Sequence, residues 1–99
     1  MALQVVWSIR AQSDRKEILD FWRRRNKSNT YSRKLNQLFK KSVEIIRDFP
    51  QIGKHTEDDN VRVKIVKDYL IFYELTETNL IILTIFDTRQ DPEKLKIRE

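Results

Sequence analysis

The apolar residues of this chain change their spacing halfway along the sequence. Between Asp14 and Phe49 they recur every three or four residues, which is the spacing of one face of an α-helix. From Val61 onwards they alternate with polar residues, as they do along a half-buried β-strand. Pro50 lies between the two patterns and ends the helical one, because the residue before a proline is pushed out of helical conformation. The sequence therefore predicts a helical first half and a sheet in the second.

The first half also predicts one strand ahead of two helices. The stretch "LQVVWSI", Leu3 to Ile9, is rich in β-branched and aromatic residues and is typical of a strand. Ser13 as N-cap and Asp14 in the first turn predict a helix from about Asp14 to Asn26. A second, longer helix is predicted from an apolar stripe, beside which lie Phe39 and Ile46. The stripe consists of Tyr31, Leu35, Leu38, Ser42, Ile45 and Phe49.

The second half predicts three strands joined as an antiparallel meander. In the first of them Val61, Val63 and Ile65 are expected to face inward, with Arg62 and Lys64 facing outward. The segments "LIFYEL" and "LIILTIFD" form the other two strands around the turn "TETN", and the tail "PEKLKIRE" adds a short helical turn.

The expected fold class is α+β, in one domain over residues 1–99. Two N-terminal helices pack on a twisted, mainly antiparallel four-stranded sheet, in the order β-α-α-β-β-β, because an amphipathic helix must bury its apolar stripe against another element. The strand that pairs with the first one is left open. The expected core residues are Trp22, Leu38, Ile46, Ile71 and Ile82.

Composition removes several classes of chemistry. The 99 residues contain no cysteine and one histidine, which excludes disulfides, thiolate catalysis and Cys-His nucleophilic pairs. Nothing at the N-terminus resembles a signal sequence, and no apolar run approaches the roughly 20 residues of a membrane helix, so we expect a cytoplasmic protein that does not insert into a membrane. A net charge of +5 suits nucleic acid, an acidic protein or an acidic membrane surface, and does not choose among them.

Four cations near the predicted sheet form the candidate site: Arg62, Lys64, Lys67 and Arg89. Arg62 and Lys64 project from the same strand face, and Arg89 follows the last strand. If they converge, they can bind a phosphodiester and stabilise the extra negative charge that develops when a ribose 2′-hydroxyl attacks it, without a metal. The alternative is a solvated sheet face. His55, in a polar loop, is either exposed or an acid or base.

Several segments together resemble the RelE/ParE superfamily of type II toxin–antitoxin toxins. They are "YSRKLNQLF", "FPQIG", "VRVKIVKDYLIFYEL" and "IFDTRQDPEKL", and their order covers about Leu3 to Leu95. The resemblance implies a growth-inhibiting toxin that a cognate antitoxin neutralises, with no cofactor or metal. RelE-like members cleave mRNA at the ribosome and ParE-like members bind DNA gyrase, so the target is either gyrase or ribosome-bound mRNA. An enzyme of this kind would be a metal-independent endoribonuclease.

The same resemblance assigns catalytic roles residue by residue. Arg62 and Lys64 match the basic pair of the RelE-like nucleases, and Arg89 matches their arginine after the last strand. Two nuclease positions differ here: Leu70 stands where an arginine is expected, and no tyrosine follows Arg89. The accessory residues that can compensate, if they reach the same pocket, are His55, Tyr69 and Tyr73.

The ending "DTRQDP" looks nearer to ParE-like members, so gyrase inhibition is preferred over RNA cleavage. A degenerate partner that binds an antitoxin without poisoning a target is a third possibility. Asp87 and Asp91 flank Arg89, and we expect both to hold its guanidinium by charge-assisted hydrogen bonds.

Overall fold

A helical hairpin and a five-stranded sheet make up the protein, whose computed structural model describes residues 3–97. The elements are β1 (Gln4–Trp7), α1 (Ile9–Asn26), α2 (Thr30–Asp48), β2 (Lys54–His55), β3 (Val61–Val66), β4 (Tyr69–Leu75) and β5 (Asn79–Asp87), followed by a short 3₁₀ turn, Pro92–Lys94. The predicted α+β class is confirmed, and the predicted elements occur in the predicted order with one further strand, β2, between α2 and β3. Neither helix in the described range is apolar over enough of its length to span a bilayer.

The sheet has the strand order β1-β5-β4-β3-β2, with β1 parallel to β5 and every other pair antiparallel. The first strand, β1, therefore pairs with the last strand, β5, which answers the question that the sequence left open. The four-stranded prediction missed β2, where Lys54 lies opposite Val63 and His55 opposite Arg62. Two exposed polar residues carry no alternating pattern, so this strand is set by its neighbour and not by its own sequence.

Helix α1 begins at Ile9, about five residues before its predicted start. Its N-cap is Ser8, whose Oγ accepts a hydrogen bond from the Ala11 N–H at 3.0 Å, so the predicted cap at Ser13 is wrong. Asp14 lies inside the helix and reaches β5 instead, where its carboxylate accepts from the Thr84 hydroxyl and from the Ile85 N–H at 3.1 Å. The carboxylate thus satisfies the sheet edge beyond the end of β1, where a free backbone donor would otherwise remain.

Helix α2 buries part of the predicted stripe. Leu35 and Ser42 are buried as predicted, together with Phe39 and Ile46 beside the stripe. Ile45 and Phe49, at the end of the stripe, are exposed, so the prediction that they face the core is wrong.

The sheet is apolar on both faces, and this corrects the orientation predicted for β3. Val61 and Val63 pack on the face turned away from the helices, together with Phe72 and Leu83, under Leu95 and Ile97 of the tail. Ile65 is 52% exposed, and the inward prediction for it is wrong. Arg62 and Lys64 share the helix-facing side with their partners Tyr73 and Ile71.

The principal core lies between the helices and the sheet. Ile46, Ile71 and Ile82 are fully buried there, as predicted. Trp22 and Leu38 are only partly buried at its border, and the prediction that they belong to the interior is corrected accordingly.

Candidate functional site

The two arginines of the predicted site lie toward opposite ends of β4. Arg62 pairs across the strands with Tyr73, whereas the Arg89 guanidinium donates to the hydroxyl of Tyr69 at 3.2 Å. Tyr69 and Tyr73 are four residues apart, or about 13 Å at the rise of a strand. The structure therefore does not bring Arg62 and Arg89 together on one phosphate.

Arg62 is engaged in holding the turn that follows α2. Its Nη1 donates to the carbonyl of Gly53 at 2.8 Å and to that of Gln51 at 3.2 Å. The hydroxyl of Tyr73 completes the arrangement, since it donates to the Pro50 carbonyl at 2.8 Å and accepts from the Gly53 N–H at 2.9 Å. These contacts explain the "FPQIG" segment as a packed turn, which we call the Pro50–Gly53 turn.

Gly53 is required in this turn by lack of space. A Cβ at this position would lie 2.5 Å from the Tyr73 hydroxyl oxygen, and that ring is fully buried. Burial raises the pKa of Tyr73 above its usual value, against the smaller lowering by its hydrogen bond from Gly53 and by the charge of Arg62. The phenol is therefore neutral at physiological pH and serves as a donor and an acceptor within the fold.

Arg89 lies at the other end of β4 in a cluster of four residues, which we call the Arg89 cluster: Trp22, Tyr69, Asp87 and Arg89. The guanidinium binds the Asp87 carboxylate bidentately, with Nε to Oδ1 at 2.9 Å and Nη2 to Oδ2 at 2.8 Å. It also lies 5.2 Å from the centroid of the Trp22 ring, whose Nε1 donates to the Tyr69 hydroxyl at 2.7 Å. Asp87 holds Arg89 as predicted.

The ionisation of the cluster follows from these contacts. Hydrogen bonds from the Arg89 side chain lower the pKa of Asp87, and the same interaction raises the pKa of Arg89 above its ordinary value. Burial raises the pKa of Tyr69, although the hydrogen bond from Trp22 lowers it in part. At neutral pH the cluster thus contains a fixed ion pair and a neutral phenol, which is an arrangement suited to binding more than to proton transfer.

Arg89 opens onto a groove with a volume of about 1010 Å³, between α1 and the end of β5. The aromatic rings of Phe21 and Trp22 line it, and Phe21 is 47% exposed. Beyond Ile82, β5 has no strand partner on this side in the part of the chain that the structure describes, because β1 pairs with it only from Asn79 to Ile82. The groove therefore offers exposed aromatic surface beside an accessible guanidinium.

A second hollow, of about 750 Å³, lies beyond the Pro50–Gly53 turn. Phe49, Ile52 and Leu75 are exposed around it, so the outer side of the turn is an apolar surface.

The remaining predicted site residues do not join Arg89. His55 is exposed on β2 opposite Arg62, and Lys64 of β3 lies opposite Ile71 of β4. Lys67 occupies a left-handed turn position, with φ 54°, and its ammonium is 5.5 Å from the Tyr31 ring centroid. Among residues 3–97 no three His, Cys, Asp or Glu side chains form a group that could hold a metal ion.

The sequence did not reveal the role of Trp22 in the Arg89 cluster, and the prediction of Asp91 as a partner of Arg89 is wrong. Trp22 was predicted only as a core residue, although a tryptophan at the solvent border with its N–H bonded to a tyrosine is a usual arrangement. Asp91 does not hold Arg89 by any hydrogen bond in the described residues. It caps the 3₁₀ turn, with its Oδ1 accepting from the Glu93 N–H at 3.0 Å, as the Asp-Pro-Glu order favours.

Comparison with known proteins gives a family. The family model described as the ParE toxin of the type II toxin–antitoxin system parDE matches residues 5–92. No protein with a curated description matches the sequence. Among solved structures, the chromosomal ParDE toxin–antitoxin system from P. aeruginosa is similar in fold, with 17% identity and a TM-score of 0.74 over 87% of this chain and 96% of that one. The chain therefore belongs to the ParE toxin family and is the toxin of a type II toxin–antitoxin pair, with a cognate antitoxin as its partner.

Proposed function

We propose that this toxin inhibits growth by binding DNA gyrase in the cytoplasm and not by cleaving RNA. Membership of the ParE family supports gyrase as the target class, and the separation of the predicted catalytic residues supports binding over catalysis. Arg62 donates to two backbone carbonyls, and Arg89 is held by a carboxylate at the other end of β4. That separation is the observation that carries the proposal.

The Arg89 groove is the surface that we assign to the target. Interface hot spots are enriched in tryptophan, tyrosine and arginine, and this groove presents Trp22, Tyr69 and Arg89 within one hydrogen-bonded cluster. Asp87 fixes the guanidinium by two hydrogen bonds, so little side-chain entropy is lost when a partner binds it. Exposed Phe21 supplies apolar area beside the cluster.

Supercoiling of relaxed plasmid by purified gyrase tests this proposal. We expect the protein to inhibit supercoiling or to trap cleaved DNA, and Arg89→Gln to weaken the effect by about thirtyfold or more, since loss of a hot-spot arginine costs roughly 2 kcal/mol or more. Arg47→Gln is a matched control. Arg47 is also paired with a carboxylate, that of Asp48 at 3.6 Å, but it lies at the end of α2.

Expression of the toxin without its antitoxin supplies the contradicting outcome. Growth arrest with gyrase unaffected and with discrete cuts at translated codons, seen by primer extension, would replace this proposal by ribosome-dependent RNA cleavage. Normal growth at full expression would instead indicate a toxin that has lost its activity.

A further inference from the structure

The net positive charge of this protein comes from its helical hairpin. Residues 9–48, which comprise α1 and α2, contain twelve Lys and Arg against five Asp and Glu, a net charge of +7. The rest of the chain contains eight against ten, a net charge of −2. A surface of this kind generates a local positive potential that attracts polyanions to one side of the molecule.

The outer side of the hairpin carries a cleft between the two helices. Its volume is about 770 Å³, and Arg15, Lys16 and Arg23 of α1 and Lys40 of α2 line it. Asp20 also lines it and pairs with Arg23, so three of the four cations have no carboxylate partner within the described residues. Arg33, exposed on α2, lies seven residues before Lys40 and hence on the same helix face.

The spacing of these cations suits a phosphate backbone. Lys16 and Arg23 are seven residues apart, as are Arg33 and Lys40, which is about 10.5 Å along a helix axis. The axes of packed helices lie about 8 to 10 Å apart. The rows of cations on the two helices are therefore about as far apart across the hairpin as the cations are along each helix. The groove widths of B-DNA, about 6 and 12 Å, bracket these values.

One of the cations is held in place before any ligand binds. The guanidinium carbon of Arg15 is 4.3 Å from the centroid of the Trp7 ring, which restricts the side chain by a cation–π contact. A restrained arginine loses less conformational entropy on binding a phosphate than a free one.

We propose that the outer face of the helical hairpin binds the phosphate backbone of duplex DNA without reading its sequence. A peptide that folds on binding needs apolar area to offset its ordering, and among residues 3–97 Leu19 is the single large apolar residue lining this cleft. Single-stranded nucleic acid needs aromatic platforms for its bases, and the nearby Trp7 ring is covered by Arg15. Duplex phosphates require neither, so they fit the surface best.

The inference stands independently of the gyrase proposal, because duplex binding is measured without gyrase. If both are correct, the hairpin adds contacts with the DNA on which gyrase acts, while the Arg89 groove contacts the enzyme. Inhibition of gyrase without duplex binding would remove this inference alone, and duplex binding without inhibition would remove the gyrase proposal alone.

Fluorescence anisotropy with a labelled duplex of about 20 base pairs and mixed sequence is the test. About four phosphate contacts predict a slope of roughly −3.6 in a plot of log K against log salt, or about 150-fold weaker binding at 200 mM than at 50 mM salt. Lys16→Gln with Lys40→Gln should reduce the slope by about 1.8. The matched control is Lys54→Gln with Lys94→Gln, two exposed lysines outside the hairpin, and it should leave the slope unchanged.

Several outcomes would overturn the inference. Equal losses in the two double variants would mean that net charge alone attracts DNA, and absence of salt-dependent binding would mean that the cations are merely solvated. Polyglutamate that competes as well as unlabelled duplex at equal charge would indicate an acidic protein partner instead. Single-stranded DNA or duplex RNA that binds as tightly as duplex DNA would remove the commitment to duplex DNA.

Discussion

The two ends of β4 use the same pair of residue types for different purposes. At one end Tyr73 and Arg62 bind backbone groups of the Pro50–Gly53 turn, and at the other Tyr69 and Arg89 join side chains at an open groove. Both tyrosines are buried, and burial raises the pKa of both. The difference lies in their partners: backbone groups cannot reach water without unfolding the turn, whereas Trp22 and Arg89 lie at the surface border.

Arg62 maintains the fold, whereas Arg89 is available to a partner. A basic residue at a position that matches a nuclease site is not thereby a catalytic residue, because its hydrogen-bond partners decide its role. Arg62 donates to carbonyls that would otherwise need another donor. Arg89 keeps 46% of its side chain exposed while Asp87 orients it.

Removal of the hydroxyl of Tyr73 or of Tyr69 tests most strongly whether the two ends of β4 differ in their importance for the fold. Tyr73→Phe leaves the Gly53 N–H and the Pro50 carbonyl without their partner, and each unsatisfied buried group costs about 1 to 3 kcal/mol. We expect a loss of about 2 to 4 kcal/mol in the free energy of unfolding, measured by urea denaturation. Tyr69→Phe should cost about 0.5 to 1.5 kcal/mol, because Trp22 and Arg89 can turn to water. Equal losses would mean that the two ends are equally integral to the fold.

Replacement of Gly53 by alanine examines the turn from the other side. The new Cβ would meet the Tyr73 hydroxyl at 2.5 Å, and overpacking of this kind typically costs about 1 to 3 kcal/mol. The oxygen makes the shortest of these contacts, and the ring carbon Cε1, at 2.8 Å, remains in phenylalanine. Removal of the oxygen therefore relieves only part of the clash, and Gly53→Ala combined with Tyr73→Phe should cost less than the sum of the two single changes. Additive losses in the free energy of unfolding, measured by urea denaturation, would show that the alanine acts through the turn backbone and not through Tyr73.

The sequence predicted most of the fold because its signals were local. The apolar spacing of α2, the turn at Thr76 to Asn79 and the stop at Pro50 each depend on a few adjacent residues. The start of α1 was mistaken because Ser8 and Ser13 are equally good caps by residue type, and contact with β5 decides between them. The orientation of β3 was mistaken because both faces of the sheet are apolar. The alternation of Val61 and Val63 therefore does not show which face is turned toward the helices.

The candidate site was harder to predict, since it depends on strand register. Arg62 meets Tyr73, and Arg89 meets Tyr69, because of a pairing between β3, β4 and β5 that no single segment specifies. A register shift also occurs where Phe72 lies opposite Thr84 and Tyr73 opposite Ile82. This bulge changes which residues of β5 share a face, and strict alternation does not anticipate it. Asp87 and Asp91 are both two residues from Arg89, so their spacing alone predicted both as partners. Only Asp87 binds the guanidinium, because Asp91 caps the 3₁₀ turn instead.

The smallest expected effect concerns the acid stability of the Arg89 cluster. The pKa of Asp87 is lowered in the folded protein, so its contribution to stability is present above its unfolded pKa of about 3.9 and is lost as pH falls through the folded value. Because Arg89 is nearly half exposed, solvent screening limits this contribution to about 1 kcal/mol or less. We therefore expect a small loss of unfolding free energy below about pH 4 in the native protein. Arg89→Gln should flatten that part of the pH profile while Arg47→Gln retains it. An unchanged acid profile in Arg89→Gln would mean that the two hydrogen bonds to Asp87 contribute nothing to stability, and that the guanidinium is free to reorient when a partner binds.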